Sequence, residues 1–294
     1  MLPSRAAIVA TAGEAIARGS RSFAAASRLF DRRTRERAWL LYAWCRRCDD
    51  LADGQDHGHG AIAVRDPEAR LALIRARTEA ALAGQWIGDA AFDSLRIVVA
   101  ETGIPHALVW DVVEGFALDA AGWRPASEAD LYRYCYHVAG AVGCMMAVVM
   151  GVSPDKDQVL DRASDLGIAF QLGNIARDLA EDEAAGRCYI PPEWRNETRP
   201  QVAARLAERA AAYAASGRAG TPALSFRSAW AVLAAAGIYG DIARKAAERG
   251  GAERVRTSAF EKIGWIGRGY GQAWSRTQLF PAAKRDELWT RPRR

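Results

Sequence analysis

Helix formers fill almost every interval of this 294-residue chain, and the intervals end at glycine or proline. Stretches such as RAAIVATAGEAIARG and RLALIRARTEAALAG are built of alanine, leucine, arginine and glutamate, which lose little freedom in a helix. Breaks at 54–60 (GQDHGHG), 84–88, 102–105, 122–125, 153–155, 191–192, 198–200, 216–222 and 250–251 leave segments of ordinary helix length. No alternating Val/Ile/Thr run between hairpin turns competes with them. None of the breaks is a long low-complexity linker. The expectation is an all-α chain with one domain over residues 1–294, and no short repeat points to a solenoid.

Half of the residues are hydrophobic and 26% are charged, enough apolar surface for a sizeable core. The net charge is +5, but the arginines are interleaved with acids rather than gathered in one run. That argues against a nucleic-acid footprint and suits a phosphorylated substrate or an anionic membrane surface. The five cysteines are odd in number, and the first residues read as an amphipathic helix rather than a secretory signal, so reduced thiols and a cytoplasmic location are expected. The longest apolar run, 138–152, is short for a membrane span and holds three glycines; it reads as a buried core helix.

The segment CRRCDDLADG (45–54) sets three aspartates on a helix that has just passed the apolar run AWLLYAW. Like charges so close repel, so something must offset them. Asp49 and Asp53 are four residues apart, and the pattern returns at Asp178 and Asp182. Residues i and i+4 share one helical face, so each pair offers two hard oxygen ligands from adjacent turns. Mg²⁺ is bound in this way, by one or two carboxylates with waters and substrate phosphate completing its shell. Asp50 and Glu181 stand beside the pairs as supporting acids. Gln171 and Asn174 precede Asp178 at spacings of three and four, a polar stripe inside an apolar helix. Such inward-facing groups commonly mark a site.

Other constellations carry less. Cys45 and Cys48 with His57 and His59 match no zinc framework, and a redox CxxC needs a helix N-terminus after a strand. The cysteines therefore read as small core residues. His106 and His137 have no nucleophile motif beside them, and neither a P-loop nor GxGxxG occurs.

Taken together, SRSFAAASRLF, LYAWCRRCDDLAD, YCYHVAGAVG, FQLGNIARDLAEDEAAGRCYIP and RVRTSAFEK resemble the head-to-head isoprenoid synthases, the family of squalene, dehydrosqualene and phytoene synthases. The resemblance runs from about Ser20 to about Ser275 and is nearest to bacterial phytoene synthases. It implies an all-α isoprenoid synthase fold with helices around a central cavity, the two aspartate motifs facing each other across it. Asp49, Asp53, Asp178 and Asp182, with Asn174, would bind Mg²⁺ (or Mn²⁺), and no NAD(P)H is expected. Ser20, Ser22, Phe23, Arg46, Gln171, Tyr239 and Arg254 would contact the diphosphate substrates. Arg47 and Lys262 are further basic candidates. Tyr134 would act in the rearrangement step. Val138 and Gly143 would line the cavity, although for the glycines of that helix close helix packing is an equal reading. Gly173 stands where relatives carry a larger residue, which suggests a locally wider cavity, and the connection after Tyr189 is shorter than in relatives.

The implied reaction is Mg²⁺-dependent condensation of two geranylgeranyl diphosphates to phytoene, as in carotenoid biosynthesis. The alternatives are a C30 synthase using farnesyl diphosphate and a non-catalytic assembly factor of the same fold. A prenyl elongase or terpene cyclase lacks the SRSF and YCYHVAG segments. Greasy substrates and the basic excess imply peripheral contact with the inner membrane surface, and the resemblance allows downstream carotenoid enzymes as partners.

Overall fold

The computed structural model describes residues 2–19, 21–53, 66–281, 285 and 287–293, with side chains except those of residues 21, 22 and 53. Among the described residues the regular structure is helical, with no strand, as expected. The chain packs as two compact units, Met1–Ala121 with Val148–Pro154, and Gly122–Ala147 with Asp155–Arg294.

The first unit holds α1 (Arg5–Gly19), α2 (Arg21–Ser27), α3 (Arg32–Asp53), α4 (Pro67–Leu82), α5 (Ala90–Thr102) and α6 (His106–Ala120). The sequence breaks work as helix punctuation. Asp66 and Asp89 accept the amides of Ala69 and Ala91 and so cap α4 and α5. Gly103, at φ 69°, ends α5 in the left-handed region that glycine enters without steric cost. Helix α3 packs against α1, α4 and α5. Its buried stripe runs Leu40, Leu41, Trp44, Cys48, the helical spacing of a core-facing side. Cys48 is thus the last member of a packing stripe, and burial pushes the Cys45 and Cys48 thiols well up from their ordinary value. Such thiols are inert.

The second unit is organised by α9 (Asp157–Ala184). Before it come α7 (Glu128–Cys135), one π turn (Tyr136–Gly140) and α8 (Ala141–Val149), whose last two residues belong to the first unit. After it come α10 (Arg199–Arg218), α11 (Phe226–Glu248), α12 (Ala259–Trp274) and the short α13 (Arg276–Leu279). At 1.5 Å per residue the 28 residues of α9 extend about 42 Å. The helix touches α7, the π turn, α10 and α11.

The expected single core helix over 138–152 is instead divided between the π turn and α8, ending before Gly151. Its glycines meet α9 backbone to backbone. A Cβ on Gly143 would stand 3.1 Å from the carbonyl carbon of Ala163 and closer to its oxygen. A Cβ on Gly167, from the α9 side, would stand 2.7 Å from the Ala139 carbonyl carbon and the Gly140 Cα. Of the two readings left open for Gly143, close helix packing is the one the structure bears out. Gly173 likewise faces α11, with Ala243 Cβ 3.5 Å from where its own Cβ would be.

A feature without any sequence signature closes this unit. Asp157, Asp161 and Asp165 lie on one side of α9, and arginines from the C-terminal tail pair with all three. Arg285 grips Asp165 in a bidentate pair (2.7 and 2.6 Å), Arg291 pairs with Asp157 and Asp161, and Arg293 reaches Asp161 at 3.0 Å. Ser216 of α10 also donates to Asp165, and the Tyr213 hydroxyl accepts the Trp289 amide at 3.1 Å.

Candidate active site

The first acidic helix offsets its own charge. Arg46 donates through Nε to Asp50 Oδ1 at 2.9 Å and approaches Asp49 at 3.8 Å. Asp50 is buried, whereas Asp49 keeps much of its carboxylate open to solvent. The two described acids of this segment therefore differ: Asp50 is buried and anchors the arginine, whereas Asp49 stands largely in solvent. Arg47 turns aside to Asp89 at 3.4 Å, which Arg77 also holds at 2.8 Å, so its contact here is an ion pair away from the acidic face. Phe23 of α2 is half-buried with its ring 5.6 Å from that of Tyr42. Ser20 and the side chains of Ser22 and Asp53 lie outside the described residues, as do His57 and His59.

The second acidic helix carries more. Asp178 accepts from Arg177 through both oxygens (2.8 and 2.5 Å), and Arg254, from the segment before α12, approaches it at 3.3 Å. Arg254 also reaches Glu181 at 3.1 Å. Asp182 is buried, and burial pushes its carboxyl above the ordinary range, while Arg187 opposes the shift through contacts of 2.9 and 2.8 Å. Each described aspartate of the two pairs thus has an arginine beside it. Guanidinium suits carboxylate and phosphate alike, so these arginines can pass to an anionic ligand once the carboxylates are neutralised otherwise.

One turn earlier, Asn174 donates through Nδ2 to Gln171 Oε1 at 3.4 Å. Its Oδ1 is buried and has no hydrogen-bond partner among the described residues. An orphaned buried carbonyl oxygen costs free energy, so it points to a ligand. Asp178 and Asp182 follow it one and two turns along the same helix, so these are the hard-oxygen groups here that could hold Mg²⁺. Among the described residues no three His, Cys, Asp or Glu side chains form a ready-made cage.

Tyr239 of α11 is stacked on Phe170 of α9 (centroids 4.1 Å, 16°), and burial raises its phenol, with the Arg177 charge acting the other way. Tyr134 is buried between Trp123 (4.8 Å) and Tyr189 (5.1 Å) in a stacked aromatic column. Val138 sits half-buried in the π turn, an irregularity often found at functional sites. Lys262 lies on α12, half-buried. The structure therefore brings Asn174, Asp178, Asp182, Gln171 and Arg254 into one neighbourhood. Sequence reasoning passed over Arg177 and Arg187, although each stands within five residues of the acid it holds, and over the rings that flank Tyr134.

The squalene/phytoene synthase family model matches residues 16–261, a span that includes residues of both units. The chain is 42% identical to a phytoene synthase of Pseudescherichia vulneris, with 96% of this chain and 97% of that protein covered. It is 43% identical to a 15-cis-phytoene synthase of a Paracoccus species, covering 97% and 98%. Among solved structures it is similar to a dehydrosqualene synthase (TM-score 0.80, 25% identity, 92% and 98% covered). A squalene synthase from Alicyclobacillus acidocaldarius shares the fold (TM-score 0.70, 23% identity, 83% and 96% covered). The chain belongs to the squalene/phytoene synthase family.

Proposed function

We propose that this protein is a prenyltransferase that condenses two geranylgeranyl diphosphates into phytoene, releasing two diphosphates. The observation that carries the reading is the helix α9 site: an unpartnered buried Asn174 oxygen beside two aspartates, with arginines within reach of the same acids. That set serves an anionic substrate that arrives with a hard cation. The near-full-length likeness to proteins named phytoene synthase supports the choice of substrate. The family match through both units supports one catalytic domain over residues 1–294.

Asp49, Asp53, Asn174, Asp178 and Asp182 would hold Mg²⁺, which when bound draws charge from a leaving diphosphate. Arg46, Arg177 and Arg254 bind and orient the diphosphate oxygens, with Gln171 fixing the Asn174 amide and Tyr239 bordering the same helix. Cleavage of the first C1–O bond leaves an allylic cation, and the double bond of the second substrate attacks it. Loss of a proton gives a cyclopropyl diphosphate; a second C1–O cleavage, rearrangement and loss of another proton give the hydrocarbon. The Tyr134 column supplies electron-rich rings for the cationic stages. The apolar residues of the π turn and α8 keep water from intermediates it would quench.

Peripheral contact with a lipid surface follows from the apolar substrates and product, and among the described residues no helix is long and apolar enough to cross a membrane. Incubation with geranylgeranyl and farnesyl diphosphate separately, with Mg²⁺ and without NADPH, tests the reading by product analysis. Phytoene from the first substrate supports it. A C30 hydrocarbon as dominant product overturns the chain length, and near-normal turnover in Asp49→Ala or Asp178→Ala overturns the metal assignment.

A further inference from the structure

Helix α12 has one face that the other described residues leave exposed. Phe260 is 85% exposed, Trp274 74% and Ile263 67%, and Tyr270 and Leu279 are also exposed. At 3.6 residues per turn, Tyr270, Ile263, Trp274 and Phe260 fall on an arc of about 120° together with Gly264, Gly267 and Gly271. Among the described residues nothing lies within 4 Å of where a Cβ on any of those three glycines would be. The stripe therefore consists of large apolar side chains separated by bare backbone. An exposed set of this kind, gathered rather than scattered, marks a surface that something else covers.

The opposite face is firmly seated, so the exposure is not that of a loose helix. The Trp230 indole of α11 donates to the Ile266 carbonyl at 2.8 Å, the Trp265 ring lies against Gly237, and Gly269 lies against the Ala234 backbone. The N-terminus is fixed by a capping box between Ser258 and Glu261. At the C-terminal end Tyr270 meets Phe226 and Trp230 edge-to-face, as Trp274 meets Phe226, with centroids 5.2 to 6.1 Å apart.

Charge decides what the face meets. The helix carries a single acid, Glu261, which is engaged by Lys245 at 2.6 Å. Arg268, exposed at the margin of the stripe, stacks on Trp265; exposed Arg256 precedes the helix by three residues, and exposed Arg227 follows Phe226, whose ring meets Tyr270 and Trp274. An apolar stripe of Phe, Ile, Tyr and Trp bordered by arginines complements the acyl boundary and anionic headgroups of a bilayer. A protein partner's pocket would need no such basic border, and Trp with Tyr are the residues that favour the lipid–water boundary.

We infer that the exposed face of α12 is the surface by which this protein rests on an anionic lipid bilayer, with Phe260, Ile263 and Trp274 entering the headgroup–acyl boundary. The inference rests on the proposed peripheral contact and is independent of the prenyl-transfer chemistry. The test is co-sedimentation of the full chain, without substrate or metal, with vesicles of phosphatidylcholine alone and of phosphatidylcholine mixed with phosphatidylglycerol. The wild type should sediment with the mixed vesicles. The triple variant Phe260→Ser/Ile263→Ser/Trp274→Ser should lose roughly tenfold or more in partitioning. The pair Arg256→Glu/Arg268→Glu should lose the preference for phosphatidylglycerol. Phe260 and Ile263 are exposed and Trp274 gives up only its edge contact with Phe226, so melting temperature should fall by no more than about 2 °C and turnover in detergent micelles should stay unchanged.

Equal sedimentation of the triple variant and the wild type would overturn the inference, as would no sedimentation of the wild type. Lipid-free self-association that the triple variant abolishes, with vesicle binding intact, would assign the face to a second copy instead. Vesicle binding in a protein that forms no prenyl product would strike the proposed activity and leave this surface standing.

Discussion

Three glycines on two helices allow the packing argument to be tested with a single kind of substitution. Gly143→Ala and Gly167→Ala each push a methyl group into the backbone of the facing helix, at 3.1 Å or less from a carbonyl carbon and closer to its oxygen. A relaxed carbon–oxygen contact is about 3.3 Å or longer. The helices would have to part by several tenths of an ångström to an ångström, and overpacking of that kind costs about 3 kcal/mol. Helix propensity returns about 1 kcal/mol when alanine replaces glycine. The net loss is about 2 kcal/mol. For a chain of this length an unfolding entropy of about 2.1 cal/mol/K per residue turns that into a fall of about 3 °C in Tm.

Gly173→Ala reverses the sign. Its methyl would meet Ala243 Cβ at 3.5 Å, an ordinary contact, so the propensity gain of about 1 kcal/mol is kept and Tm rises by about 1–2 °C. Calorimetry and urea unfolding of the three variants beside the wild type give the ordering, and turnover with each prenyl diphosphate shows whether chain-length choice moves. Gly143→Ala or Gly167→Ala melting at or above the wild type would refute the close-approach reading. A change of preferred substrate in Gly173→Ala would show that this position widens the cavity rather than packing on α11.

Replacing Asn174 with Leu removes a buried oxygen that has no partner, so the metal-free protein should melt no lower than the wild type while Mg²⁺-dependent turnover falls by orders of magnitude; a lower Tm with retained turnover would contradict the ligand role. Arg285→Met strands the fully buried Asp165 carboxylate at a cost of about 3 kcal/mol, and adding Asp165→Asn should recover most of it in urea unfolding. Burial already raises Asp165 above 3.8, so its carboxyl binds protons more tightly folded than unfolded. The Arg285→Met deficit should therefore be full at neutral pH and shrink as pH falls through the raised folded value toward 3.8. Glu261 is held down to about 2 by Lys245 and by the Ser258 cap. A depressed carboxylate contributes stability above its unfolded pKa of 4.5 and loses it as pH falls from there to about 2. An NMR titration of Lys245→Ala should move the Glu261 carboxyl upward; an unmoved midpoint would show that the pair does not set it.

How much of this was legible in the sequence depends on the range of the interaction. Helices and many of their ends were, because glycine and proline breaks such as Gly103 act on the residues next to them. The Gln171–Asn174–Asp178 stripe was, because helical spacing alone aligns it. The π turn was not: one widened turn at Tyr136–Gly140 uses the same residue types as an α-helix, and the gain lies in how Gly143 and Gly167 then meet across two helices. The roles of the glycines followed from what each faces, which no local pattern records. The tail arginines are the clearest instance. Arg285, Arg291 and Arg293 stand among scattered basic residues beyond the family resemblance, and no sequence motif singles out Asp157, Asp161 or Asp165. Each would be an ordinary solvated charge alone. Brought together across more than 100 residues they form a buried network in which Asp161 and Asp165 tolerate desolvation only because the tail is present. The end of the chain thus covers the Asp157–Asp165 face of α9, a pairing that no local pattern of either segment records.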